Sequence, residues 1–237
     1  MPQLVFLPGL ASDATVWAQQ LPVIPARWQP VVTDVHTRFA SLGDMAAALL
    51  REHQGELVLC GTSMGGMVAL EVARQAPARI RGLALLGTSA RPETEDMRAL
   101  REQAITLFEA GRLLEVLQPN LAMAFHPDRA RDTALLDTYL AFVTRAGAAQ
   151  LIAQNRAVMA RPDARRHLST VACPALVLCG DSDLLTPPEC SAEIAAQIPR
   201  SRLHLVPRCG HMLTMERPAE VNALLMEWLS ELNQAKT

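Results

Sequence analysis

Gly61-Thr62-Ser63-Met64-Gly65-Gly66 is the stretch whose reading decides the fold of this chain. Before it, Leu57-Val58-Leu59-Cys60 is a short apolar run of strand type, and after it Met67 to Gln75 reads as helix. A serine between two glycines at a strand-to-helix switch is a nucleophile elbow, a turn so tight that Ser63 is expected to adopt a strained backbone. That strain holds the hydroxyl clear of the main chain. Gly61 and Gly65 flank it because larger side chains would collide across the turn. The same pattern also arises in plain glycine-rich connections, so its meaning depends on what accompanies it.

A serine hydroxyl is a poor nucleophile until a base takes its proton, and the base needs an acid to hold its tautomer. Downstream, Leu176-Val177-Leu178-Cys179-Gly180-Asp181-Ser182-Asp183 is an apolar run ending in glycine and two aspartates. Further on, Leu203-His204-Leu205-Val206 is another strand candidate, followed by Pro207-Arg208-Cys209-Gly210-His211. Acid and base therefore both fall just past the carboxyl end of a strand, and in a parallel sheet those ends share one edge. Ser63, an aspartate (Asp181 or Asp183) and His211 can converge there. The other histidines (His36, His53, His126, His167 and His204) lack the Gly-His context after a final strand. His204 reads as a strand side chain. His126 either lines a pocket or is structural.

Strand candidates are Leu4–Leu7, Pro30–Thr33, Leu57–Cys60, Gly82–Leu86, Ala175–Cys179 and Arg202–Val206, mostly apolar without alternation, as in strands covered on both faces. Helical segments separate the early ones, with Leu42, Met45, Ala46, Leu49 and Leu50 on one stripe. Strand and helix in alternation predict right-handed crossovers and a doubly wound, mostly parallel α/β sheet of about six strands. Between Gly87 and Cys173 the strand signals stop, and residues 97–110, 112–124, 130–146 and 148–160 read as helices. Leu100, Ala104, Leu107 and Phe108 form one stripe there, and Leu135, Leu136, Tyr139, Leu140 and Val143 another. This periodicity signals a packed helical insertion rather than a cofactor site.

Composition narrows the class. At 237 residues and 50% hydrophobic content, the chain can bury one good core plus an insertion. Net charge is −2, and the 22 basic residues are scattered, all arginine except Lys236, which excludes a nucleic-acid footprint. No basic leader with a cleavable apolar segment precedes the first strand, and no apolar run approaches membrane-spanning length. Five cysteines (Cys60, Cys173, Cys179, Cys190 and Cys209) are an odd number with no CxxC pair and no metal-ligand spacing. Buried free thiols and a cytoplasmic protein are expected. Cys209, two residues before His211, reads as packing.

Together these motifs resemble the α/β-hydrolase-fold serine hydrolases over nearly the whole chain. Leu7-Pro8-Gly9-Leu10 is similar to the loop after the family's early strand, which usually reads His-Gly; Pro8 stands where that histidine would be. Pro174 to Pro187 resembles the strand–Gly-x-x-Asp–Pro segment, and Gly210-His211 with Glu216-Arg217-Pro218 and an amphipathic helix to Trp228-Leu229 resembles the C-terminal signature. The resemblance implies Asp183 as the acid, 28 residues before His211, with Asp181 a turn or capping residue. It implies an oxyanion hole from the backbone N–H groups of Met64 and Leu10. The chain would start at the family's third strand, without the opening hairpin. Residues 1–90 and 171–237 would form the core domain, and 91–170 an all-helical cap roofing the serine. Met123, Phe125, Phe142 and Met159 are candidates for an acyl pocket in that cap, with plain cap core as the competing reading. One departure stands out: many relatives carry a glycine-rich stretch where this chain reads Asp34-Val35-His36-Thr37-Arg38-Phe39.

The implied activity is cleavage of a small or medium carboxylic ester through an acyl-enzyme, with no metal or organic cofactor. The expected partner is a small acyl substrate, with neither nucleic acid nor membrane, and the chain is expected to be a monomer or homodimer. A dehalogenase would need a carboxylate where Ser63 stands. Two rivals use the same fold. One is carbon–carbon hydrolysis of dienone acids or the pyruvate elimination of the menaquinone-pathway synthase, which would want arginines such as Arg145, Arg156 or Arg161 facing the pocket. The other is a non-catalytic ligand receptor.

Overall fold

A computed structural model describes residues 2–234. In chain order the elements are β1 (Gln3–Leu7), β2 (Val31–Val32), α1 (Val35–Arg38), α2 (Leu42–Glu52), β3 (Leu57–Thr62), α3 (Met64–Gln75), β4 (Ile80–Leu86), α4 (Glu95–Glu109), α5 (Leu113–Ala124), α6 (Thr133–Met159), α7 (Arg165–Leu168), β5 (Ala175–Gly180), α8 (Pro188–Gln197), β6 (Ser201–Val206), α9 (Leu213–Glu216) and α10 (Pro218–Gln234). Side chains start the helices where the sequence offers them. Ser41 Oγ accepts from Asp44 N at 3.1 Å, and Asp132 Oδ1 from Leu135 N at 3.1 Å.

All six strands are parallel, in the order β2-β1-β3-β4-β5-β6. This is the α/β-hydrolase fold. The apolar strands divide their side chains between two layers with a period of two. Leu4, Phe6, Val58, Cys60, Ala84, Leu86, Leu176 and Leu178 enter one core with Trp228 and Leu229 of α10. Val5, Leu7, Leu57, Leu59, Leu83, Leu85 and Val177 enter the other, with α2 and α3. Burial on both faces is why these strands show no polar alternation.

Strand order reverses between β1 and β3, since the chain steps from β1 outward to β2 and then returns to β1's other side. A crevice outside the carboxyl ends of the strands opens at such a point. The register brings Leu7 beside Gly61, Thr62 beside Leu86, and Gly180 beside Val206, so those ends form one edge.

Three places bear on the sequence expectation. β2 has two residues rather than four, because it pairs only with β1 at the sheet edge and Pro30 has no N–H for a ladder. Residues 35–38 form a helical turn where the glycine-rich stretch of relatives was missed. The break expected between helices over 130–146 and 148–160 is found at Gly147 (φ 74°, ψ 168°) within α6. Helices α4 to α6 share a core with the sheet: Phe108, Leu117, Phe142 and Leu151, with Phe125 just after α5, pack in the cluster that holds Phe6 and Trp17.

Candidate active site

Ser63 lies between β3 and α3 with φ 49° and ψ −119°, on the positive-φ side that non-glycine residues avoid. Its N–H donates to Leu86 O at 2.9 Å, while its carbonyl accepts from Gly66 N at 3.0 Å and Thr88 Oγ1 at 2.6 Å. A Cβ on Gly61 would lie 2.6 Å from Gly66 N, and one on Gly65 would strike the Leu7 carbonyl and reach 2.7 Å from Pro8 O. Both glycines are therefore demanded by the turn, as the sequence implies. The serine itself is half-buried.

Asp183 follows β5 and is completely enclosed, and His211 follows β6 with its side chain 8% exposed. His211 Nδ1–H donates to Asp183 Oδ2 at 2.8 Å. The remaining capacity of the carboxylate is filled by Leu185 N, Thr186 N and Thr186 Oγ1, each at 2.9 Å. Burial opposes an imidazolium at His211, but the Asp183 charge and hydrogen bond outweigh it and hold the pKa above 6.5. Burial likewise opposes the Asp183 carboxylate, yet His211 and Thr186 hold its pKa below 3.8. Asp181 does something else: its carboxylate accepts from Arg208 N at 3.0 Å and Cys209 N at 3.3 Å, closing the turn after β6.

Gly87 (φ 50°) links the two halves of the site. It follows Leu86, whose carbonyl holds Ser63, and a Cβ on it would lie 3.2 Å from Asp183 Oδ2 and 3.4 Å from His211 Nδ1. Because Nδ1 is committed to Asp183, Nε2 is the free nitrogen of His211. Among the described residues Ser63 Oγ and His211 Nε2 have no hydrogen-bond partner; contacts of this kind often close only with substrate in place. The Met64 N–H is the first of α3, where no intrahelical acceptor exists. The Leu10 N–H likewise has no acceptor among the described residues. A Cβ on Gly9 would sit 3.2 Å from Ser63 Cβ, so the loop carrying Leu10 passes directly over the serine.

The pocket candidates separate. Phe125 and Phe142 are fully buried and meet through Tyr139, with ring centroids 5.2 Å apart on each side. Met123 lies 38% exposed on α5, and Met159 ends α6, where its carbonyl accepts from Arg98 Nη2 at 2.8 Å; neither belongs to that ring cluster. The three arginines that could have faced a carboxylate are engaged elsewhere. Arg145 pairs with Asp13 at 2.5 Å, Arg156 with Glu109 at 3.0 Å, and Arg161 with Glu93 at 2.9 Å.

Two residues next to the site carried no assigned role in the sequence reading. Thr186 bonds Asp183 and lies 3.3 Å from His211 Nδ1; a threonine three residues after an aspartate and before Pro187 is a turn signal that could have found it. Glu216, quoted only as part of a signature, is 3% exposed and accepts from Gly210 N at 3.0 Å, Met212 N at 3.2 Å and His126 N at 2.9 Å. Burial lifts its pKa above 4.5 in spite of those donors. His126 is a half-buried residue of this junction, its Nδ1 accepting from Asp128 N at 3.1 Å. All five cysteines are free, Cys209 among the fully buried ones. Among the described residues no three His, Cys, Asp or Glu side chains are grouped as metal ligands would be, and no helix is long and apolar enough to cross a membrane.

The sequence pattern of the family described as "Serine aminopeptidase, S33" matches residues 23–218. The chain belongs to that family. It is a hydrolase of the α/β-hydrolase fold. Among curated relatives, the Serratia proteamaculans protein named "Putative carbamate hydrolase RutD" is 27% identical over 252 residues, spanning 100% of this chain and 94% of its own length. A thermophilic esterase from Thermogutta terrifontis, solved with malate bound, is 26% identical with a TM-score of 0.88, covering 98% of this chain and 90% of that one. The enol-lactonase from Burkholderia xenovorans LB400 shares the fold at 21% identity and a TM-score of 0.84, covering 97% and 91%.

Proposed function

We propose that this hydrolase cleaves a small or medium carboxylic ester through a Ser63–His211–Asp183 triad and an acyl-enzyme. Ser63 Oγ attacks the carbonyl carbon while His211 Nε2 takes its proton. Asp183 fixes the Nε2-basic tautomer and stabilises the imidazolium. The tetrahedral oxyanion is held by the N–H groups of Leu10 and Met64. Collapse breaks the C–O bond, and His211 returns the proton to the departing alcohol. Water then attacks the acyl-Ser63 ester with His211 as base, releasing the acid and restoring the serine. The chemistry uses only these groups and calls for no cofactor.

The observation that carries this reading is the 2.8 Å His211–Asp183 bond set across Gly87 from a serine held at φ 49°. Residues 91–170 are the cap in this proposal, with Phe125, Tyr139 and Phe142 as its apolar wall. The enzyme is cytoplasmic, acts on a small acyl substrate, and works as a monomer or homodimer. Engagement of Arg145, Arg156 and Arg161 by acidic partners speaks against the dienone-acid and pyruvate-eliminating alternatives. The relatives named as carbamate hydrolases make a carbamate, which presents the same carbonyl, the second substrate class.

The test is a fluorophosphonate probe followed by peptide mapping, then a panel of nitrophenyl esters, a carbamate and a dienone acid. Label on Ser63 with ester turnover well above the Ser63→Ala background is the expected result. Fast dienone cleavage beside background ester turnover would reverse the assignment.

A further inference from the structure

The Leu10 donor belongs to the peptide between Gly9 and Leu10, so whatever orients that peptide sets the oxyanion hole. Its carbonyl, Gly9 O, accepts from Ser12 N at 3.2 Å, closing a tight turn over residues 9–12. In a trans peptide the N–H points opposite to the C=O, so this bond turns the Leu10 N–H outward, away from the turn. The third residue of the turn, Ala11, has φ 61°, a conformation that such turns usually give to glycine. Left alone, an alanine there would favour another geometry.

Two buried side chains hold it. Gln154 of α6 accepts from Ala11 N at 2.7 Å and donates from Nε2 to His36 O at 3.0 Å. Only one orientation of the amide satisfies both, because a backbone N–H needs the oxygen and a carbonyl needs the nitrogen. His36 in turn donates from Nε2 to Ser12 O at 2.8 Å. Gln154 is 1% exposed and His36 4%. His36 comes from the helical turn that replaces the glycine-rich stretch of relatives, so the departure in sequence supplies a specific contact.

We propose that Gln154, backed by His36, is a positioning residue that presets the Leu10 N–H for the oxyanion, an inference that rests on the ester-hydrolase reading of Ser63. It touches no reacting atom. It therefore acts on the transition state, where the oxyanion exists, far more than on the bound ester.

Steady-state kinetics on a nitrophenyl ester, with melting temperature as the folding control, test this in three variants. Gln154→Met removes both hydrogen bonds at nearly equal volume and is expected to lower kcat by about 10- to 100-fold with KM within about threefold, a part of what losing an oxyanion donor outright costs. Gln154→Glu keeps an acceptor for the Ala11 N–H and, protonated in that buried place, a donor for His36 O, and is expected to retain clearly more kcat than Gln154→Met. A purely packing role predicts the reverse order, since an apolar isostere would be tolerated better than a buried carboxyl. Should Gln154→Met not fold, Gln154→Asn, one methylene too short to bridge, carries the same expectation. Wild-type kcat in the methionine or asparagine variant, a loss confined to KM, or a glutamate variant worse than methionine overturns the proposal. Ser63→Ala separates the two levels: an active Ser63→Ala refutes the triad, whereas an inactive one beside an unaffected Gln154→Met refutes the clamp alone.

Discussion

Replacing Asp183 by asparagine tests the proposed chemistry at its most constrained atom. Oδ1 of Asp183 accepts from two backbone N–H groups, Leu185 and Thr186, and Oδ2 accepts from Thr186 Oγ1 and His211 Nδ1. An asparagine keeps its oxygen where the two N–H groups demand an acceptor, so its NH2 must face Thr186 and His211. His211 Nδ1 then becomes the acceptor, and the ring proton moves to Nε2. A protonated Nε2 cannot take the Ser63 proton. By the precedent of other serine triads, kcat should fall about 10⁴-fold, or roughly 5.5 kcal/mol of barrier. KM should change little, because the backbone bonds and the volume are retained. The assay is hydrolysis of a nitrophenyl ester across pH. In the parent enzyme the acid limb of kcat/KM should lie above pH 6.5, since His211 acts only when neutral and its pKa is raised. The raised pKa also means that His211 contributes stability fully below about pH 6.5, and that this contribution fades as pH rises through the folded value. Activity should thus grow as that contribution declines. An Asp183→Asn enzyme retaining a tenth or more of kcat would refute the tautomer argument.

Other expectations concern strain, support and specificity. At Ser63 the usual preference for alanine over glycine should invert: with φ 49°, Ser63→Gly should be more stable than Ser63→Ala by about 1 kcal/mol, measured by denaturant unfolding. Glu216→Gln leaves one oxygen for three backbone donors and should destabilise by about 1–3 kcal/mol in the same assay, with a lower kcat because Gly210 and Met212 flank His211. Trp228→Ala empties a site that is 1% exposed and should cost about 3–5 kcal/mol. The double variant Arg145→Ala, Arg156→Ala should leave ester KM unchanged, since both side chains pair with acidic residues at the surface; a large rise in KM would restore the carboxylate-binding alternative.

Much of this was legible in the chain, for local reasons. Apolar runs ending in Gly, Asp or His announce strands and the loops beyond them, and parallel pairing then collects those loops on one edge. The elbow could be read because Gly61 and Gly65 are steric necessities, visible without knowing the fold. The clamp on Leu10 was not legible. Gln154 and Ala11 are 143 positions apart, and nothing in the local composition of either suggests the other. His36 lacked the context of a base and has a different task. Glu216 sat inside a quoted motif, yet its backbone partners come from two segments, the loop of His211 and the stretch just after α5, Phe125 to His126. The acyl-pocket candidates were chosen by residue type within the expected cap, with no spacing to relate them, and Phe125 and Phe142 share a cluster from which Met123 and Met159 are absent.

The junction between α5 and the loop of His211 has a mechanical consequence. Ala124 O accepts from His211 N at 2.8 Å and Met212 N at 3.2 Å, while Glu216 grips His126 N from the other side. Any displacement of the α5 end would therefore carry the backbone of His211 with it. The break in α6 at Gly147 lies outside this hydrogen-bonded junction. In the proposed mechanism the end of α5 and the base thus move as one unit.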